Sequence, residues 1–423
     1  MSGRAPPVSL KDQIARHQSK WLTDHYWVTP YNWLDEVRKD FDLPPRIYFH
    51  DVTLREADQH PGIALRKEEK LRIAEALNDL GVGSLEIAPM ISKEDEEATK
   101  AIAHLGLATK VIAFCSWRKE DVDLARQCGV DGVILDFVGN PWQSNAFWGL
   151  SEEEHLRRGV EAISYAKSHG LFTIALPWDD YRAPLEFLER NYKACVNEGK
   201  ADHVTVTETF GFALPWTTLW FVKKVRSWVP GVPVEKHGHN DYGLATADQV
   251  AAVAGGAQVC QTTMCGVGER VGNASTEEVA VAVEVLLGVE TGINLEKIYY
   301  TAKLVQDLTK FRVSPTKPVI GDNIFATTSG WISWMKAKAR EAGRPTGLLP
   351  FTPDLIGAPP ERYVIGKGSG RGLVGSKLEA LGLRPTDEQL DKITELVKQE
   401  SILRKGALSE FELEVIAKRV MTG

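Results

Sequence analysis

Residues 47–62 read IYFHDVTLREADQHPG, and the fold turns on how the chain leaves the first six of them. IYFHDV is a run of strand length, rich in aromatic and β-branched residues. An open doubly wound sheet would leave its first strand through a glycine-rich phosphate loop, yet residues 51–59 contain no glycine. Working outward, further apolar runs of strand length occur at 84–87, 110–114, 132–137, 171–176, 203–206, 232–237 and 258–263. Between them lie amphipathic segments of helical period, such as 67–80, 152–168, 184–198, 243–254 and 275–288. Strands alternating with helices predict parallel pairing through right-handed crossovers. Eight such units predict an α/β fold, a closed (β/α)8 TIM barrel with reactive groups at the C-terminal strand ends.

The rhythm sets the domains. Residues 1–45 form an aromatic-rich arm (Trp21, Tyr26, Trp27, Tyr31, Trp33), and residues 46–290 the barrel. Residues 291–423 are expected to be mostly helical, a helical linker subdomain plus a small α/β subdomain, with helices at 295–311, 331–342, 387–400 and 409–420 and a Pro/Gly-rich stretch at 344–370. A hydrophobic share of 43% with 25% charged residues describes a globule with a large core. The net charge of −7 argues against general nucleic-acid or anionic-membrane binding. Five cysteines without a C-x-x-C argue against a disulfide framework or thiolate zinc site. Charges recur through the first thirty residues, and no apolar run reaches the length of a membrane span. The expectation is a soluble, cytoplasmic protein.

The chemistry gathers at strand ends. Lys236-His237-Gly238-His239-Asn240-Asp241 closes the seventh strand, and histidines at i and i+2 point to one side, as shared metal ligation requires. Asp51 ends the first strand and is a candidate third, oxygen ligand. Arg55 offers a planar fork for a substrate carboxylate or an enolate, and Glu56 is placed with it on the substrate side. After the eighth strand, TMCGVGERVGN (263–273) lacks G-x-G-x-x-G but can bring Glu269 and Asn273 to the rim. Mixed nitrogen and oxygen ligation suits one divalent ion, Mg2+, Mn2+, Co2+ or Zn2+. Cys265 is either an acid/base group or a buried loop thiol. Gly366-Lys367-Gly368-Ser369-Gly370-Arg371 mimics a phosphate loop without its spacing and reads as structural.

Four motifs in this order, DVTLREADQHPG (51–62), TETFG (207–211), HGHNDYGLA (237–245) and GVGERVGN (266–273), resemble the metal-dependent TIM-barrel superfamily of 2-isopropylmalate, citramalate and homocitrate synthases and 3-hydroxy-3-methylglutaryl-CoA lyase. PVIGDNIFA (318–326) and GKGSGR (366–371) look like the synthases rather than the lyases. The resemblance implies Asp51, His237 and His239 on the metal, with Asn273 as a further ligand. It implies Arg55 on the 2-oxo acid or its enolate and Thr209 on the 2-oxo acid carboxylate. It also implies a homodimer that condenses a 2-oxo acid with an acyl-CoA donor. The alternative is a carbon–carbon lyase or aldolase running the same enolate chemistry toward cleavage. A third reading, a catalytically retired barrel that only binds, is disfavoured by the costly rim charges it would have no reason to keep.

One departure stands out. Ile332 occupies the position of the synthases' activating His, and Leu348 falls near that of its Tyr partner. Residues 177–182 read PWDDYR in place of the family's S-x-E-D segment. Proton transfer must then come from Glu86, Asp179, Asp180, Glu269 or Cys265. Acetyl-CoA is accordingly expected to be a poor donor, roughly 10²- to 10⁴-fold below one whose α-carbon is already activated. Thiol release in the presence of pyruvate or 2-oxoisovalerate measures this, and brisk acetyl-CoA turnover would mean that Ile332 is misaligned.

Overall fold

Eight parallel strands close into a barrel in chain order: β1 (Tyr48–Asp51), β2 (Ser84–Ile87), β3 (Lys110–Ser116), β4 (Gly132–Val138), β5 (Phe172–Trp178), β6 (His203–Glu208), β7 (Val234–Gly238) and β8 (Val259–Thr262). The structure is a computed structural model and describes residues 9–422. Closure is made by β1 on β8, with Tyr48 opposite Val259 and Asp51 opposite Thr262. The expected helices form at Lys67–Leu80, Glu152–Ser168, Leu185–Asn197, Ala245–Ala254 and Thr276–Ala282. Further helices, among them Lys93–Ala103, Lys119–Cys128 and Pro215–Trp228, complete the ring, while the short helix Thr53–Gln59 follows β1 at the mouth. Asn140 caps Pro141–Trp148 through its side chain, a helix with apolar residues all round and hence no periodic signal.

The barrel interior has two characters. On β3, β4 and β5 the inward positions are apolar apart from Ser116 and Asp136 near the mouth, and Ile112, Ile134, Ile174 and Leu176 pack with Phe114, Phe172 and Trp178. The opposite half is polar. His50 of β1 hydrogen-bonds Glu235 of β7 at 3.0 Å, and Gln261 of β8 donates to the same carboxylate at 2.8 Å. His50 Nε2 also lies 3.4 Å from Glu86 of β2. Each buried charge here meets an opposite charge or a donor, the condition under which such groups are tolerated in a core.

The described residues divide into two compact units, residues 9–20 with 30–313, and residues 21–29 with 314–422. The barrel unit therefore takes in the helix Ile298–Thr309, beyond the expected limit at 290, and the aromatic arm is shared out between the units. In the second unit, β9 (Ala326–Thr327) pairs in parallel with β10 (Arg362–Tyr363). Helices Arg371–Ala380, Asp387–Arg404 and Glu410–Thr422 enclose Val374, Leu378, Ile393, Val397 and Leu413. The 366–371 loop spends its polar groups internally: the Gly366 amide donates to Ser369 Oγ and the Lys367 amide to Ser401 Oγ. Among the described residues no helix is long and apolar enough to cross a membrane.

Gly132 sets the closeness of β4 to β5. A Cβ there would stand 2.5 Å from the Phe172 carbonyl oxygen and 2.8 Å from Phe172 Cβ. Gly132→Ala should therefore destabilise the barrel by about 1–3 kcal/mol, seen as a lower urea midpoint. An unchanged midpoint would mean that the two strands separate freely at this point.

Candidate functional site

At the C-terminal mouth of the barrel, ligand atoms of Glu56, His237 and His239 all lie within 4.8 Å of one another. The Nε2 atoms of the two histidines are 3.4 Å apart, and His237 Nε2 is 3.9 Å from Glu56 Oε1. All three residues are buried. Burial, followed by the neighbouring positive charges, holds His237 well below the ordinary histidine pKa, and burial lowers His239 as well. Both shifts favour the neutral imidazole that metal ligation requires. The Oδ1 of Asn273 is buried nearby without a hydrogen-bond partner among the described residues. Two imidazoles, one carboxylate and a spare amide oxygen fit a divalent ion with open positions.

Period two explains the membership. Along β7, Glu235 and His237 point inward, while Lys236 points outward and pairs with Asp248 at 2.8 Å. His239 lies just past the strand and forms an antiparallel bridge with Asn273. On β1 it is His50 that fills the interior, so Asp51 faces out. Its carboxylate accepts from the Thr53 amide at 2.9 Å and from Thr276 Oγ1 at 3.3 Å, and burial raises it to about 6. Sequence reading set Asp51 beside the histidines and Glu56 beside the substrate; the geometry brings Glu56, which also lines the cleft, to the histidines and leaves Asp51 outside the cleft lining. Glu56 reaches the histidines because the helix Thr53–Gln59 starts directly after β1 and folds back over the mouth.

Arg55, on the same turn, is the centre of a buried ion lattice. Its guanidinium bonds Glu56, Glu86 and Gln59 and lies 4.8 Å over the Phe114 ring. Burial opposes this charge, but Glu56 and Glu86 outweigh it and hold the guanidinium above its ordinary range. In turn, burial works against the Glu56 carboxylate, and Arg55, then His239, bring it below the usual value. Above this lattice opens a cleft of about 280 Å³ lined by Arg55, His237, Thr207, Thr209, Trp178 and Arg270, among others. Thr207 Oγ1 is buried there without a partner among the described residues. Thr209 Oγ1 accepts from the Asp179 amide at 2.8 Å. Arg270 straps the mouth, bonding Asp241 and the Thr209 carbonyl.

The remaining sequence candidates sit elsewhere. Asp179 is held by Arg182 and Asn140, and Asp180 by Tyr192 and the Thr207 amide, with burial raising Asp180 to about 8. Glu86 lies beneath Arg55, outside the cleft lining. Cys265 is buried and turns its thiol toward the Ala302 carbonyl at 3.5 Å. Glu269 does line the cleft, half-exposed and 3.3 Å from Arg270. Sequence reasoning missed Asp136, Thr207 and Arg270; the signal for Asp136 was one acid inside the apolar run GVILDFV.

Against this geometry stand the comparisons. The sequence profile of the family described as HMGL-like matches residues 46–305. The homocitrate synthase AksA of Methanopyrus kandleri is 35% identical over 394 residues, spanning 93% of this chain and 96% of its own. The (R)-citramalate synthase CimA of Methanocaldococcus jannaschii is 37% identical over 374 residues, spanning 88% of this chain and 74% of its own. An HMG-CoA lyase of Acinetobacter baumannii, solved with coenzyme A and 3-methylmalate, shares the fold with a TM-score of 0.58 at 16% identity, over 72% of this chain and 98% of its own.

The choice of carboxylate beside the histidines is testable. Glu56→Gln should lose stoichiometric metal by elemental analysis, because an amide oxygen replaces a charged ligand. Asp51→Asn should keep it, since Asp51 faces Thr53 and Thr276. Metal loss confined to Asp51→Asn would reverse the assignment.

Proposed function

The chain belongs to the HMGL-like family, and from that premise we propose a metal-dependent acyltransferase that condenses a 2-oxo acid with an acyl-CoA donor. The observation that carries the reading is the placement of Arg55, Thr207 and the Glu56/His237/His239 centre around one cleft of about 280 Å³. That volume suits a small acid. A divalent ion held there supplies Lewis acidity toward the oxo acid's carbonyl. The protein's own groups do the rest. Arg55, already desolvated and fixed by Glu86, Glu56 and Phe114, presents its free edge to the oxo-acid carboxylate or to the enolate. Thr207 lines the same cleft, with its Oγ1 unpartnered among the described residues, and Arg270 with Phe210 narrows the entrance.

The synthase direction is favoured by relatives that carry synthase names over most of this chain. Cleavage by the same groups is the second reading, supported by the lyase fold neighbour. A cytoplasmic homodimer completes the proposal. The deciding assay offers a panel of 2-oxo acids with acyl-CoA donors and measures free thiol. Release that depends on the oxo acid supports condensation, whereas turnover of hydroxy acids alone supports cleavage.

Arg55→Lys keeps the charge and loses the planar fork. It should cost on the order of 2–4 kcal/mol in transition-state binding, a fall in kcat/KM of about 30- to 1,000-fold. A near-native kcat/KM would reduce Arg55 to a structural element of the rim.

A further inference from the structure

Asp136, at the C-terminal end of β4, is the cleft's uncommitted carboxyl group. It shares the inward face of its strand with Ile134 and lines the cleft beside Arg55, Thr207 and Leu176. Among the described residues nothing donates a hydrogen bond to it, whereas the other carboxylates around the mouth are engaged. Glu56 and Glu86 hold Arg55, Asp51 accepts from Thr53, Asp179 from Arg182, Asp180 from Tyr192, and Glu269 pairs with Arg270. An acid placed in an apolar strand, turned into a substrate cleft and left unpartnered is costly to the fold. Its free valences are available to a bound molecule.

The surroundings keep this group able to gain and lose a proton. Its register neighbours are Ser116 on β3 and Leu176 on β5, neither of them charged. The charges that reach it are Arg55 from the helix Thr53–Gln59 and Glu86 from β2, while His237 of β7 lines the same cleft. Burial dominates, and raises the carboxyl to about 7 against the pull of Arg55. Near neutrality both forms are populated, as a proton-transfer group requires.

Resting on the condensation reading, we propose that Asp136 is the catalytic base that takes the proton from the α-carbon of the acyl thioester and returns it to the oxygen of the former keto group. The electron pair of the broken C–H bond becomes the π bond of the enolate. The enolate carbon then bonds to the keto carbon of the oxo acid, and the carbonyl π pair moves onto its oxygen, which receives the proton from Asp136. Water finally cleaves the C–S bond to give a carboxylic acid and a free thiol. Asp136 ends as the carboxylate it began as, and neither oxidant nor reductant is consumed.

The experiment compares the metal-loaded wild type, Asp136→Asn and Asp136→Glu. Thiol release is measured with a donor panel running from acetyl-CoA to acetoacetyl-CoA, and deuterium uptake at the donor α-carbon is measured in D2O. Asp136→Asn should fold with unchanged metal content and KM for the oxo acid, yet lose about 10²- to 10⁴-fold in kcat together with α-exchange. A base works deprotonated, so wild-type kcat/KM should rise with pH through about 7, and that rise should vanish in Asp136→Asn and return in part in Asp136→Glu. Native rate, exchange and pH profile in Asp136→Asn would overturn the proposal. If the wild type only cleaves, the condensation reading falls, while Asp136 is judged by the same comparison in the reverse reaction, which must use the same proton route. An enzyme inert in both directions sinks both.

Discussion

The site depends on one desolvated cation. Arg55 is buried, and water cannot solvate its charge, so the protein must surround it with acceptors. Glu86 fixes it from the barrel floor, Glu56 from its own helical turn, and Phe114 supplies a face for the guanidinium plane. Glu56 thereby has two duties, since the carboxylate that neutralises Arg55 is also the one that meets the histidines. The oxo-acid side and the metal side of the cleft are held in register by the same charge balance. Removing one member leaves its partner buried and uncompensated, which typically costs about 3–5 kcal/mol.

The split interior of the barrel serves this arrangement. Isoleucines and aromatics of β3–β5 make a stiff apolar wall that places Asp136, Leu176 and Trp178 around the cleft. The polar half carries His50, Glu86, Glu235 and Gln261 as a bonded array under Arg55. His50 meets opposing influences: burial favours the neutral ring, but the bond and charge of Glu235, followed by Glu86, raise its pKa above the ordinary value. His50 bridges the Glu86 and Glu235 carboxylates beneath Arg55. The floor of the site is thus an alternation of signs running across the barrel axis.

Asp51 and Glu56 illustrate how a motif can be recognised while its members are misassigned. Both acids flank Arg55 in DVTLRE, and a linear reading favours the one on the strand. Parity decides otherwise: once His50 is committed to the interior by Glu86 and Glu235, Asp51 must face outward. Cys265 fails for a similar reason. Its glycine-flanked loop does reach the rim, but Cys265 takes a positive φ of 64°, and its thiol turns away toward the helix Ile298–Thr309. Neither a strand's inward parity nor a loop's rotation is written in residue type.

The order of the elements, by contrast, is legible in the chain without any coordinates. The alternation of β-branched runs and amphipathic segments, with no phosphate loop after the first strand, is a local property, and the closed barrel results from it. His237 and His239 were legible because two residues at a strand end share a face whatever the strand packs against. Packing in three dimensions selects which acid joins them, where each pairing of the rim charges falls, and that Asp136 is left without one among the described residues. Those outcomes depend on distances between elements far apart in the chain. Charge and burial there are settled jointly by every strand of the barrel, and no single stretch of residues carries that information.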